Sequence, residues 1–136
     1  MPNVPRGSAL ILALTMLLFG HTAGSAQQTG MVRIAEIEII SGYLEEYKAI
    51  LKEEAEASVR LEPGVISIFP MYQKEHPTQV KILEIYASRE AYESHLKTPH
   101  FQKYKTTTQK MVKSLKLIDM EGADAETMTK IFKKMR

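Results

Sequence analysis

The chain has 136 residues, no cysteine and no tryptophan, and 18 basic against 16 acidic side chains. A balance so near neutrality, with lysines scattered rather than striped, gives no electrostatic footprint for nucleic acid. The lack of cysteine excludes a disulfide framework, a lipid attachment and a thiolate metal site.

The opening residues read as an export signal: one positive charge at Arg6, an apolar run from Ala9 to Phe19, then small residues ending at Ala26. That run is too short to span a bilayer as a mature helix, so no membrane span is expected. Cleavage after Ala26 leaves 110 residues with 17 basic and 16 acidic groups, an exported chain that is periplasmic or secreted. One domain of that length buries only about 60 to 70 % of its unfolded surface, which makes association with a second copy favourable.

From Val32 to Ile40 apolar and charged residues alternate around Arg33, Glu36 and Glu38, the period of a half-buried strand, with one irregularity near Ala35. Ser41-Gly42 stops it. Leu44, Tyr47, Leu51, Ala55 and Ser58 then recur at helical spacing up to Leu61, and Pro63-Gly64 ends the helix. Its charged side, Glu45 to Glu56, is read as a solvated face with short-range Glu/Lys pairs.

Val65 to Tyr72 carries apolar residues at both parities, so both faces need cover, and Pro70 implies an edge strand or a bulge. A loop, Gln73 to Thr78, leads into Gln79–Ala87, where Val80, Ile82, Glu84 and Tyr86 share one face. Its His76 is read as solvated surface.

Ser88 is the expected N-cap of a helix from Arg89 to Lys97. Thr98 and Pro99 start a second helix, whose buried side is Phe101, Tyr104, Thr108, Met111 and Val112. A last strand covers Ser114–Asp119. The order βαββααβ predicts an α+β fold, one ferredoxin-like antiparallel sheet with helices on one face. Its other face would be closed most simply by a partner's sheet, which makes the chain a homodimer. The domain is placed at residues 27–119, with a C-terminal helical extension at 120–136 whose end is rich in lysine.

Glu84 and Tyr86 at a strand end, His95 at a helix end, the Thr98-Pro99 step and the His100-Phe101 pair, with Glu62-Pro63-Gly64 upstream, together resemble the antibiotic biosynthesis monooxygenase family from about Met31 to Asp119. The resemblance implies a dimeric α/β barrel and a cofactor-independent monooxygenase. Its substrate would be a quinol-like or other electron-rich aromatic small molecule that supplies the electrons to dioxygen itself. It implies no cofactor. Haem is disfavoured further because haem-degrading relatives carry Trp at the position of His95 and His where this chain has Lys105.

Within that frame the candidate catalytic residues are His95, His100, Glu84 and Tyr86, and the candidate substrate-binding residues are Tyr72, Phe101, Tyr104 and Lys105. Pro99 breaks the helix between the two histidines. His95 therefore lies at a C-terminal end that favours imidazolium and His100 at an N-terminal end that favours the neutral ring. If both reach one cavity, His100 is the better base and His95 the better acid. Glu84 is expected to hydrogen-bond a histidine or Lys105. The plainer reading is that His100 caps locally, His95 fills a gap beside the sheet, and the aromatics are core. No metal site is expected, since His-x4-His across a break lacks helical ligand spacing and Glu84 is the only carboxylate in view. A small-molecule-binding dimer without turnover, or an isomerase or detoxification enzyme using the same pocket, remains open because one fold hosts unrelated functions.

Overall fold

The structure, a computed structural model, describes residues 30–122 and Lys130. The export signal and most of the C-terminal extension fall outside the described residues. The elements are β1 (Met31–Ile39), a 3-10 turn at Ser41–Tyr43, α1 (Leu44–Leu61), β2 (Val65–Tyr72), β3 (Gln79–Tyr86), α2 (Arg89–His95), α3 (Pro99–Thr108), a 3-10 turn at Gln109–Met111, and β4 (Val112–Met120). All pairings are antiparallel and the strand order is β2-β3-β1-β4. The four strands and three helices make the ferredoxin-like α+β fold that the sequence predicts.

Pro70 lies on an edge strand, where its missing N–H costs no ladder bond. The bulge in β2 falls between Val65 and Ser67. The irregularity expected near Ala35 is not there. Arg33, Ala35, Ile37 and Ile39 point inward in unbroken alternation, and the register of β1 against β4 shifts only at Glu38/Ile39. The last strand also starts two residues earlier than expected, because Val112 pairs with Ile39 after that shift.

Both helix caps form. The Ser88 Oγ accepts from the Ala91 N–H at 3.1 Å, and the Thr98 Oγ1 accepts from the Phe101 N–H at 3.3 Å while donating to the His95 carbonyl at 2.8 Å. The second contact ties the end of α2 to the start of α3, so the positions of His95 and His100 are coupled. Gly64 brings β2 against α2 so closely that an added Cβ would stand 2.5 Å from the Ala91 Cβ. No glycine among the described residues has positive φ, so in the turn closed by the Val65 N–H on the Glu62 carbonyl this one is required for close approach rather than for its backbone freedom.

The core lies between α1 and the sheet, around Tyr47, Leu51, Ile37, Ile39, Val80, Ile82, Tyr86 and Met111. One strand rung on this helix-covered side is polar: Glu84 pairs with Arg33, and Arg33 with Asp119. On the opposite side the next rung is apolar across all four strands, Phe69–Leu83–Ile34–Ile118, and no described helix covers it. Phe69 is 53 % exposed.

Candidate active site

Between α1, α3 and the sheet lies a cavity of about 470 Å3 whose wall includes Arg33, Glu54, Glu84, Tyr86, His95, Phe101, Tyr104 and Lys105. That volume suits a small-molecule ligand. Its floor is the polar rung of the sheet. Leu115 and Leu117 of β4 edge it and stay well exposed, so it opens along the flank of that strand.

His95 is the centre of the site. It is 2 % exposed, and its ring lies 4.7 Å from Phe101 and 5.5 Å from Tyr86 between centroids. Its two nitrogens meet different carboxylates: Nδ1 stands 3.0 Å from Glu62 Oε1, and Nε2 stands 3.6 Å from Glu54 Oε1. Glu62 Oε1 is also 2.5 Å from Nε2 of His100. Thus the two histidines do come together, with ring centroids 6.4 Å apart, but on a glutamate rather than on the cavity. His100 and Glu62 stand behind His95, outside the cavity lining. The Thr98 side chain ties the start of α3 to the end of α2, and α3 packs against α1, whose C-cap is Glu62.

Glu62, His95 and His100 hold their donor atoms within 4.8 Å of one another, the residue types of a divalent-metal site. Ligands around a metal with bonds of 2.0–2.1 Å sit roughly 3.3 Å apart. A single oxygen 2.5 and 3.0 Å from the two ring nitrogens matches a carboxylate accepting two hydrogen bonds, and that satisfies all three groups. The carboxylate is Glu62, not the Glu84 considered from the sequence.

Glu84 meets neither histidine nor Lys105. Its Oε2 accepts from the Tyr86 hydroxyl at 3.1 Å, and burial raises its carboxyl above the usual range against the opposing pull of Tyr86, Arg33 and His95. Arg33 is held by Asp119 at 2.7 Å and lies over the Tyr92 ring at 4.5 Å. Glu54, read from the sequence as part of a wet face, is 5 % exposed and accepts from the Ser58 hydroxyl at 2.7 Å. Burial raises its carboxyl too, opposed by Ser58 and the histidines. The Tyr104 and Tyr47 hydroxyls share a 2.8 Å hydrogen bond, and burial pushes the Tyr104 phenol up to about 12.

Tyr72 is not in the cavity. It sits on the edge strand beside the first half of α1, with Lys48 over its ring at 5.4 Å, in a shallow hollow with Phe69 and Pro70. It pairs with Val80, four residues along β3 from Glu84, and at about 3.3 Å per residue that removes it from the site. Of the expected site residues, His95, Glu84, Tyr86, Phe101, Tyr104 and Lys105 share the cavity. His100 stands behind it, and Tyr72 stands apart. Glu54, Glu62 and Arg33 had not been singled out for the site. Glu54 was legible, since Leu51, Glu54 and Ser58 fall on the buried stripe of α1, and Arg33 shares the parity of Ala35 and Ile37. Glu62 enters the sequence reading only within the Glu62-Pro63-Gly64 stretch of the family resemblance, with no role at the site.

Residues 30–107 match the antibiotic biosynthesis monooxygenase family model. The chain belongs to that family. Among solved structures, it is 52 % identical to a Bacteroides thetaiotaomicron protein assigned to these monooxygenases, with a TM-score of 0.70 over 71 % of this chain and 91 % of that one. It is 31 % identical to a Lactobacillus acidophilus protein assigned as a monooxygenase, with a TM-score of 0.66 over 69 % of this chain, but it spans only 45 % of that protein. A Nitrosomonas europaea protein assigned to the family, 22 % identical with a TM-score of 0.68 over 73 % of this chain and 95 % of that one, shares the fold. No curated protein matches at a significant level.

Proposed function

We propose that this family member is a cofactor-independent monooxygenase acting on a quinol-like aromatic substrate, with His95 as the base. The observation that carries the proposal is one buried imidazole in the wall of an apolar cavity, flanked by Phe101 and Tyr86 and backed by a carboxylate on each ring nitrogen. Proton loss from a substrate hydroxyl leaves an electron-rich anion. That anion passes one electron to dioxygen, and the resulting radical pair collapses to a C–O bond. Loss of the proton on the oxygenated carbon, with protonation of the outer oxygen, then splits the peroxide: the C–H electron pair forms the product carbonyl, the O–O bond breaks, and the outer oxygen leaves as water, with all four electrons drawn from the substrate. Arg33 and Lys105 line the same cavity and favour the anionic stages. Phe101 and Tyr104 offer faces for the ring, while Glu84 holds Tyr86.

The uncovered apolar rung Phe69–Leu83–Ile34–Ile118 supports a homodimer formed sheet to sheet. The Arg6, Ala9–Phe19 and Ala26 pattern supports export, for which the mature chain would begin at Gln27 by N-terminal sequencing.

Dioxygen uptake with a panel of quinols tests the proposal. His95→Gln should lower the rate by about 10²- to 10⁴-fold. Uptake indifferent to this change would remove His95 as the base, and tight ligand binding without any uptake would favour a binding dimer.

A further inference from the structure

We infer that Glu54, His95, Glu62 and His100 form a single proton path from the cavity wall to solvent, with His100 as its outer port. The inference rests on the proposed function only for its use in turnover; the path itself is a property of the resting protein. His95 and Glu54 line the cavity, whereas Glu62 and His100 do not. Accessibility rises along the chain of contacts, from 3 % for the His95 side chain through 12 % for Glu62 to 19 % for His100. The steps are 3.6 Å from Glu54 to His95 Nε2, 3.0 Å from His95 Nδ1 to Glu62, and 2.5 Å from Glu62 to His100 Nε2. The first is long for transfer, as such contacts are before a substrate tightens the site.

A base that is 2 % exposed cannot hand its proton to bulk water directly. Imidazole conducts because it accepts on one nitrogen while releasing from the other. His95 takes the substrate's proton on Nε2, directly or through Glu54, and its Nδ1 proton passes to Glu62. Glu62 delivers a proton to His100 Nε2 once solvent has moved that ring's own proton from Nε2 to Nδ1, and His100 then releases the Nδ1 proton to water, which restores the Nε2–H that donates to Glu62 at rest. No charge accumulates, and the reverse passage supplies the proton that splits the peroxide. The assignment explains why two histidines and two glutamates from three helices are gathered behind one cavity wall, when one base would suffice for proton abstraction. Glu62 and His100 are then positioning and relay groups that do not touch substrate. Other titratable or charged groups around His95 are Arg33 on β1, Glu84 and Tyr86 on β3, Tyr92 on α2, and Tyr104 and Lys105 on α3. None of them bridges to His100.

The test is hydrogen exchange at the His95 ring, followed by 15N-edited NMR of the full chain without ligand. In the wild type the His95 Nδ1 proton should exchange fast for so buried a group. His100→Gln should slow that exchange, and added imidazole should restore it in His100→Ala. A merely structural His100 predicts the opposite sign, since loosening the site speeds exchange. Unchanged or faster exchange in His100→Gln therefore overturns the path. Where quinol-dependent uptake is present, His100→Gln should lower kcat, leave KM in place, and respond to added imidazole. His95→Gln should not be rescued. Complete absence of uptake would defeat the proposed function while the exchange result still decides the path.

Discussion

Glu84 shows how one strand position acquires an altered carboxyl. Its parity with Ile82 and Tyr86 turns it toward the helices, so burial penalises the ionised form, and Tyr86 and Arg33 offset only part of that. A carboxyl raised in the folded state contributes stability that is complete below the ordinary value near 4.5 and is lost as pH rises through the folded value. Glu84→Gln should therefore melt with the wild type in acid and progressively above it toward neutral and alkaline pH, in a thermal series across that range. A difference that shrank with rising pH would refute this sign. Tyr86→Phe should cost about 1 to 2 kcal/mol in urea unfolding, because it deletes the hydroxyl that serves a buried carboxyl.

The elements matter through their ends. α1 stops at Glu62, α2 at His95, and α3 starts after Thr98, so three helix termini meet and present side chains that no single helix could bring together. The approach of α2 to the sheet depends on Gly64. Gly64→Ala should destabilise by about 1 to 3 kcal/mol through overpacking against Ala91, measured by denaturant unfolding. Adding Ala91→Gly should recover most of the loss, while strictly additive effects would show that the two positions do not contact. Cap residues were readable because Ser88 and Thr98-Pro99 act locally. The Thr98 hydroxyl's second bond to the His95 carbonyl was not, since it depends on the angle between two helices.

At the scale of the whole molecule the sheet has two unlike faces. One carries helices, core and cavity, and the other carries an apolar rung that crosses every strand. In the proposed dimer that rung is buried. Phe69→Lys should then shift the molecule to monomer in light scattering while leaving its circular dichroism unchanged, because Phe69 is 53 % exposed within one chain. A wild type that is monomeric at high concentration would remove the sheet-to-sheet interface.

Periodicity and punctuation in the sequence determined the element order, the restriction of Pro70 to an edge strand or a bulge, the inward set Val80, Ile82, Glu84 and Tyr86, and the break that separates His95 from His100. These are local properties, written in side-chain parity and in the restricted dihedrals of proline. Tertiary structure decided what those residues meet. It turned His100 onto Glu62 rather than into the cavity, left Tyr72 on the far strand, drew Glu54 out of water, and set Arg33 between Glu84 and Asp119. Each outcome depends on strand register and on how helix ends pack, and partners 33 or 38 residues apart leave no local trace of their contact.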